Sequence, residues 1–267
     1  MTDDRTHRQR IREVFTAQAP TFEDPSLNFA FTSGLPWLLE LASPQQGDVC
    51  LDVAAGTGLI ARALAPQVTR VVAVDATIAM LRTGMEQATE AGAGNVAFVA
   101  GDASALPCPS GSFTLVVTRF SLHHFEDPLP PLREMVRALR SGGRLVVHDL
   151  VSSTDPVVAR AQDRIENLRD PSHLRMPPAG AVDEWLADLG MEVTRLETRV
   201  VPRPVEQWLA QALTDEAAAS QIWEAFDREL AGGVTTGLQP HGHDGELWFR
   251  QTWEITVATK PGEPVST

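Results

Sequence analysis

Between residues 48 and 149 the chain alternates short apolar runs with longer amphipathic stretches. The runs are Val49–Ala54, Arg70–Val74, Val96–Ala100, Phe113–Thr118 and Arg144–His148, each rich in Val or Leu and bounded by Gly, Pro or Asp. Continuous apolar runs of this length predict strands buried on both faces. Between them, Leu59–Leu64, Ile78–Ala91 and Leu132–Arg140 carry apolar residues at helical spacing. Pro130-Pro131 opens the third of these helices and Ser141-Gly142-Gly143 closes it, the usual asymmetry of helix ends. Strands alternating with helices predict a mostly parallel sheet with helices on both faces.

The flanks follow other periods. Residues 1–45 hold helical pieces around Ile11–Ala17 and Leu35–Leu41, joined by the Pro-punctuated stretch TFEDPSLNF. Residues 155–190 read as helix with breaks at Asp170-Pro171 and Pro177-Pro178. Met191–Val201 alternates as a strand, Val205–Leu230 reads as one helix, Gly232–Gly245 as a loop, and Leu247–Thr259 alternates again. The expected organisation is an N-terminal helical cap (1–45), an α/β core (46–150), lid helices (151–190), and C-terminal strands with an inserted helix (191–261). Ligands of open α/β sheets sit at the carboxyl ends of the strands, so cap and lid are placed to cover that rim.

Composition narrows the function. The 267 residues, 43% hydrophobic, suit one large domain with a full core. No apolar run reaches the ~20 residues that cross a bilayer, and the start MTDDRTHRQRIREVF lacks a signal peptide's apolar stretch. A cytoplasmic protein is expected. A net charge of −13 argues against nucleic-acid binding, which draws on clustered Lys and Arg. Cys50 and Cys108 are too few for a disulfide framework or a thiolate zinc site. The chain has no tyrosine and one lysine, Lys260, which excludes a catalytic Tyr/Lys pair and argues against a Schiff-base mechanism.

The chemistry-bearing positions cluster at strand ends. The first strand ends at Asp52–Ala54 and turns into Gly56-Thr-Gly58-Leu-Ile-Ala61, which fits the G-x-G-x-x-A spacing of dinucleotide-binding loops. Glycines there let the backbone approach a ligand, and the helix from Leu59 offers free N–H groups. The second strand ends in Asp75, 19 residues after Gly56, where a carboxylate either holds a ribose diol or caps the helix near Ile78. The third ends in Gly101-Asp102-Ala103, and its acid can accept from an exocyclic amine such as that of adenine. The fourth runs into Arg119 and then Ser121-Leu-His-His-Phe-Glu-Asp-Pro.

Taken in order, LDVAAGTG, VVAVD, GDA, FTLVVTRFSLHHFEDP and SGGRLVVHD resemble the core of class I S-adenosylmethionine-dependent methyltransferases. The likeness is greatest to the group of ubiquinone and menaquinone biosynthesis enzymes and natural-product methyltransferases, and it covers residues ~47–150. Phe15-x-x-x-Ala19-x-x-Phe22 and the terminal WEITVATKP extend it; the family often has Tyr where this chain has Phe22. The resemblance implies a Rossmann-like, seven-stranded α/β fold and S-adenosyl-L-methionine as cofactor. It places Asp52, Ala54, Gly56 and Gly58 around the methionine end and Asp75 and Ala76 at the ribose. Met80, Asp102 and Ala103 then meet the adenine, and Arg119 lies near the methyl group. The acidic Asp52 suits an ammonium better than a phosphate, which counts against the dinucleotide reading.

The implied reaction is methyl transfer to a small, apolar or aromatic acceptor, quinone-like or a natural-product intermediate. The apolar reading rests on Phe22, Phe29, Phe31, Trp37 and Trp185. His148 at the end of the fifth strand and His173 in the lid are the candidate general bases. His123-His124 orient the loop after strand four, with His124 and Phe22 toward the acceptor. His241-Gly-His243-Asp244 reads as a loop, and no metal site is expected. Three alternatives stay open: a cyclase or rearrangement enzyme that keeps its cofactor unchanged, a protein that binds the cofactor without catalysis, and a nicotinamide dehydrogenase. The sequence leaves the oligomeric state open.

Overall fold

In the computed structural model, which describes residues 4–24, 26–27 and 32–262, the five apolar runs become parallel strands. These are β1 (Val49–Val53), β2 (Arg70–Asp75), β3 (Val96–Ala100), β4 (Phe113–Arg119) and β5 (Leu139–Val151). Around them lie α1 (Asp4–Gln18), α2 (Leu35–Ala42), α3 (Leu59–Leu64), α4 (Ile78–Glu90) and α5 (Leu129–Ala138). The C-terminal part supplies α6 (Pro156–Arg169), α7 (Ala181–Asp188), β6 (Glu192–Pro204), α8 (Val205–Gln211), α9 (Glu216–Leu230), β7 (His241–His243) and β8 (Glu246–Thr259). The strand order is β3-β2-β1-β4-β5-β8-β6, with β8 antiparallel to both neighbours and the short β7 paired to β8.

Successive strand residues point to opposite faces, so each buried strand feeds two cores. Cys50 joins Trp37 and Leu38 of α2 and Ile60 and Leu64 of α3 on one face. Leu51 joins Leu132 and Met135 of α5 and Val182 and Leu186 of α7 on the other. Truncating a side chain such as Leu132, wholly buried there, costs about 2–5 kcal/mol. Helix α5 has its prolines in the first turn, where their missing N–H groups cost nothing. Its free carbonyls at the other end are met by the chain's one lysine: Lys260 Nζ donates to Val136 O at 2.7 Å and Leu139 O at 2.8 Å.

The structure departs from the sequence reading at three places. The sheet has eight strands, because the stretch read as a loop after Gly232 contains β7, formed by a hairpin turn at Asp244-Gly245. The stretch Val205–Leu230 is two helices, broken where Leu213 takes φ 55° and Asp215 accepts from Ala218 N to start α9. Helix α5 ends at Ala138, and the chain turns directly into the strand instead of continuing to Arg140.

Strands β6 and β8 stay paired as far as Pro204↔Trp248, past the last β5 pairing at Val151↔Thr252. This overhanging ribbon buries Phe249 against Ile165 of α6, Trp208 of α8 and Ile222 and Phe226 of α9. Helices α6, α8 and α9 are thereby anchored to an extension of the sheet. Among the described residues no helix is long and apolar enough to cross a membrane.

Candidate active site

The strand order reverses between β1 and β4, the switch point at which open α/β sheets bind ligands. A cavity of about 390 Å³ lies there, floored by the ends of β1, β2 and β4 and roofed by α1 and Phe22. The glycine turn makes the floor shallow. Ala54, Gly56 and Gly58 take φ of 54°, 56° and 74°, so the backbone doubles back between strand and helix.

Asp75 braces this turn. Its Oδ2 accepts from Gly56 N at 2.8 Å and its Oδ1 from Thr77 N at 2.7 Å. Burial raises its pKa, opposed by the same two N–H groups. Each oxygen thus accepts one of these N–H groups, and a carboxylate oxygen can accept a second donor such as a hydroxyl. Asp52 Oδ2 accepts from Ala61 N at 3.0 Å, and burial pushes its pKa up to about 7 despite that bond. Asp102 holds Ser104 N on Oδ1 and Arg8 on Oδ2, both at 2.8 Å.

Of the ten residues expected at the cofactor, Asp52, Ala54, Gly56, Asp75, Ala76, Met80, Asp102, Ala103 and Arg119 line the cavity. Gly58 lies behind the wall, where a Cβ would come within 2.7 Å of Phe98 of β3. Phe22 and His124, expected at the acceptor, also line the cavity. Phe22 faces Gly56 and meets Phe15 edge-on at 6.2 Å, and Phe15 meets the His124 ring at 5.1 Å.

The two histidines read as candidate bases sit elsewhere. His148 is wholly buried behind the wall, ringed by Trp37, Phe120 and Trp253. Its Nδ1 accepts from Arg119 Nε at 3.2 Å, and burial with the charges of Arg119 and Arg199 holds its pKa well below the usual value. His173 stacks on His123 at 5.1 Å and its Nε2 lies 3.3 Å from Asp163 Oδ1. His123 binds Asp149 at 2.5 Å; burial lowers its pKa, but the carboxylate outweighs burial and the net direction is up. Burial and the neighbouring His123 lower that of His124, whose Nδ1 meets Ser172 O at 3.0 Å. The histidine pair therefore ties the loop after β4 to the connection between α6 and α7.

Several wall residues escaped the sequence reading. Phe120 takes φ 50°, a costly conformation for an aromatic residue, while its N–H donates to His148 O at 2.7 Å. Glu23 clasps Thr57 and Arg62, tying the roof to the glycine turn, and His7 Nε2 bonds His124 O at 2.8 Å. Gly84 lets α4 touch the turn: a Cβ there would fall on Thr57 O and 2.6 Å from Phe98 Cε1. An isolated glycine inside a helical pattern was the available signal for that contact. Trp37 and Trp185 belong to the sheet's two cores, and Phe29 and Phe31 lie outside the described residues. His241 and His243 are on β7, and among the described residues no three His, Cys, Asp or Glu side chains group as metal ligands.

A family profile described as a methyltransferase domain matches residues 51–147. The uncharacterized methyltransferase YcgJ of Bacillus subtilis is 34% identical over 65% of this chain and 67% of its own length. The ubiquinone/menaquinone biosynthesis C-methyltransferase UbiE of Ectopseudomonas mendocina is 34% identical over 58% of this chain and 63% of its own length. The crystal structure of YcgJ superposes with a TM-score of 0.80, covering 87% of this chain and all of that one at 24% identity. Three carboxylates on consecutive strand ends, the braced glycine turn and these likenesses agree: the chain belongs to the class I S-adenosylmethionine-dependent methyltransferases.

Proposed function

We propose that the enzyme methylates a small organic acceptor with an apolar, ring-bearing or isoprenoid body, a quinone-like or natural-product intermediate. The observation that carries this reading is one cavity whose lining combines carboxylates with aromatic side chains. Asp52, Asp75 and Asp102 supply the carboxylates, and Phe15, Phe22, Phe120 and Phe125 supply apolar wall. The relation to a quinone-modifying C-methyltransferase supports an apolar ring, although the match spans 63% of that protein's length.

The residues fit S-adenosylmethionine. When bound, the cofactor supplies an electrophilic methyl group on a sulfonium leaving group. Asp75 keeps acceptor sites for the ribose hydroxyls while its backbone bonds fix its rotamer. Asp52 offers a carboxylate to the ammonium of the methionine end. Met80 and Ala103, both buried in the cavity wall, would pack on the adenine, and Asp102, now bonded to Arg8 through Oδ2, would accept from its amine. The roof of α1 and Phe22 covers the cavity and would shield the reaction from water and restrict how an acceptor meets the methyl group, which is where positioning lowers the barrier.

The test is incubation with methyl-labelled cofactor and a panel of quinols and phenols, following label transfer and S-adenosylhomocysteine release together. Labelled product with equal thioether release supports the reading. Product formed without cofactor turnover would favour rearrangement chemistry, and absence of cofactor binding would overturn the assignment of the cavity.

A further inference from the structure

Strand β6 stands at one end of the strand order, with β8 as its neighbour. The short β7 does not cover it, because Trp248 of β8 pairs with Pro204 of β6 on one side and with His241 of β7 on the other. Among the described residues no strand therefore pairs with the outer edge of β6. Such an edge offers a row of backbone N–H and C=O groups to any strand that fits it. Two of its apolar side chains, Leu196 and Val200, are 43% and 61% exposed. None of its residues line the cavity.

Two features limit where another strand can add. The register against β8 slips between Val193 and Arg195, so Thr194 bulges and breaks the ladder there. Beyond the other end, Pro202 and Pro204 have no N–H to give. Proline in a sheet turns its nitrogen away from the ladder it belongs to, so positions 202 and 204 face their backbone outward. By alternation Val200, Thr198 and Leu196 do the same. The stretch left for pairing is Arg195–Val201, and its midpoint, Thr198, is one of the outward-facing residues.

The side chains fit a second copy of that stretch. A two-fold axis normal to the sheet leaves every side chain on its own face, so residues i and j pair only where i + j is even. With the axis at Thr198, Glu197 meets Arg199 and Leu196 meets Val200 on both sides of it. An axis at Glu197 sets Arg195 against Arg199, and one at Arg199 sets that arginine against itself, which opposes like charges. An axis at Leu196 draws the bulged Thr194 into the ladder, and one at Val200 puts Pro202 opposite Thr198. Trp37 of α2 holds both charges in place. Its Nε1 donates to Glu197 Oε2 at 2.7 Å, and the Arg199 guanidinium lies 4.3 Å from its ring centroid.

We propose that β6 is an interface for a second copy of this chain, paired antiparallel about a two-fold axis at Thr198 so that two sheets become one. The outward groups of Leu196, Thr198 and Val200 then exchange about six backbone hydrogen bonds with the copy. The exposed Leu196 and Val200 cover one another. Glu197 and Arg199 fall at the non-hydrogen-bonded positions, where facing side chains lie closest.

The test is sedimentation equilibrium of the full chain from about 1 to 200 µM, which resolves a dissociation constant of about 10 µM. The mass should rise from 29.0 kDa toward twice that value. Glu197→Arg sets arginine against arginine and Arg199→Glu sets carboxylate against carboxylate, so each alone should weaken association about tenfold or more. An equimolar mixture of the two variants makes both contacts complementary again and should associate within about threefold of the unmodified chain. Thr198→Pro removes an N–H that faces away from β8, so dimerisation should be lost while Tm stays within about 5 °C. Should Thr198→Pro fail to fold, the mixing result decides alone. A monomer throughout the range, a dimer indifferent to Thr198→Pro or to both charge reversals, or a mixture no tighter than its components would overturn the proposal.

Discussion

Asp52 offers the sharpest test of how the cavity works, because its proton and the cofactor's ammonium compete for one carboxylate. Burial raises its pKa to about 7, with Asp75 adding repulsion and Arg119 and Arg62 partly offsetting it. A carboxylate with that pKa is about 3% ionised at pH 5.5 and about 90% ionised at pH 8. If the bound cofactor requires the ionised form, its affinity should rise roughly thirtyfold over this interval, about 2 kcal/mol. Calorimetry with S-adenosylhomocysteine in buffers of differing ionisation enthalpy should show nearly one proton released per site at pH 6 and almost none at pH 8. Asp52→Asn keeps an acceptor for Ala61 N and should bind weakly with a flat pH profile. The sign for stability is opposite. The folded pKa lies above the unfolded one, so between about pH 4 and 7 the folded state holds the extra proton and stability falls as pH rises. Asp52→Asn should therefore raise the Tm of the ligand-free protein at pH 8 and change it little at pH 4. Affinity constant within threefold across the pH range, or a slope that persists in Asp52→Asn, would refute the reasoning.

Three further outcomes follow from the same geometry. Asp75→Asn should weaken S-adenosylhomocysteine about tenfold to a hundredfold in a titration, since charge-assisted bonds of about 1.5–3 kcal/mol lose their charge. Gly84→Ala should lower Tm by about 3–8 °C and weaken cofactor binding, because the added methyl group displaces Thr57 of the turn. A mid-helix glycine without that contact would gain about 1 kcal/mol from the same change, so a rise in Tm would show the packing to be wrong. Glu23→Gln should speed S-adenosylhomocysteine dissociation in stopped flow, about tenfold for a loss of roughly 1.4 kcal/mol, by loosening the roof from Arg62 and Thr57.

How much of this was legible in the sequence depended on the distance over which each feature is encoded. Strands buried on both faces announce themselves as apolar runs, and Asp75 stands at a spacing from Gly56 that the turn imposes. Those features are local, and the structure brings Asp52, Asp75 and Asp102 to one rim. The bond between Arg119 and His148 joins residues 29 apart through the register of β4 and β5, in which Arg119 sits opposite His148. The clasp from Glu23 to Arg62 spans 39 residues and follows no period. Gly58 carried an ambiguous signal: a glycine needed for packing on Phe98 reads the same as one needed for a ligand. The break at Leu213 was hidden because apolar spacing continues across it, and only the capping Asp215 marked the new start.

The roof has a bearing on how the enzyme is made. Helix α1 is synthesised before every one of the segments that fasten it. Arg8 binds Asp102, His7 binds the carbonyl of His124, and Gln18 Nε2 reaches Ala212 O at 3.4 Å. The helix thus gains its last fastening only once residue 212 has been made, and a nascent chain arrested before residue 102 should leave the helix open to protease.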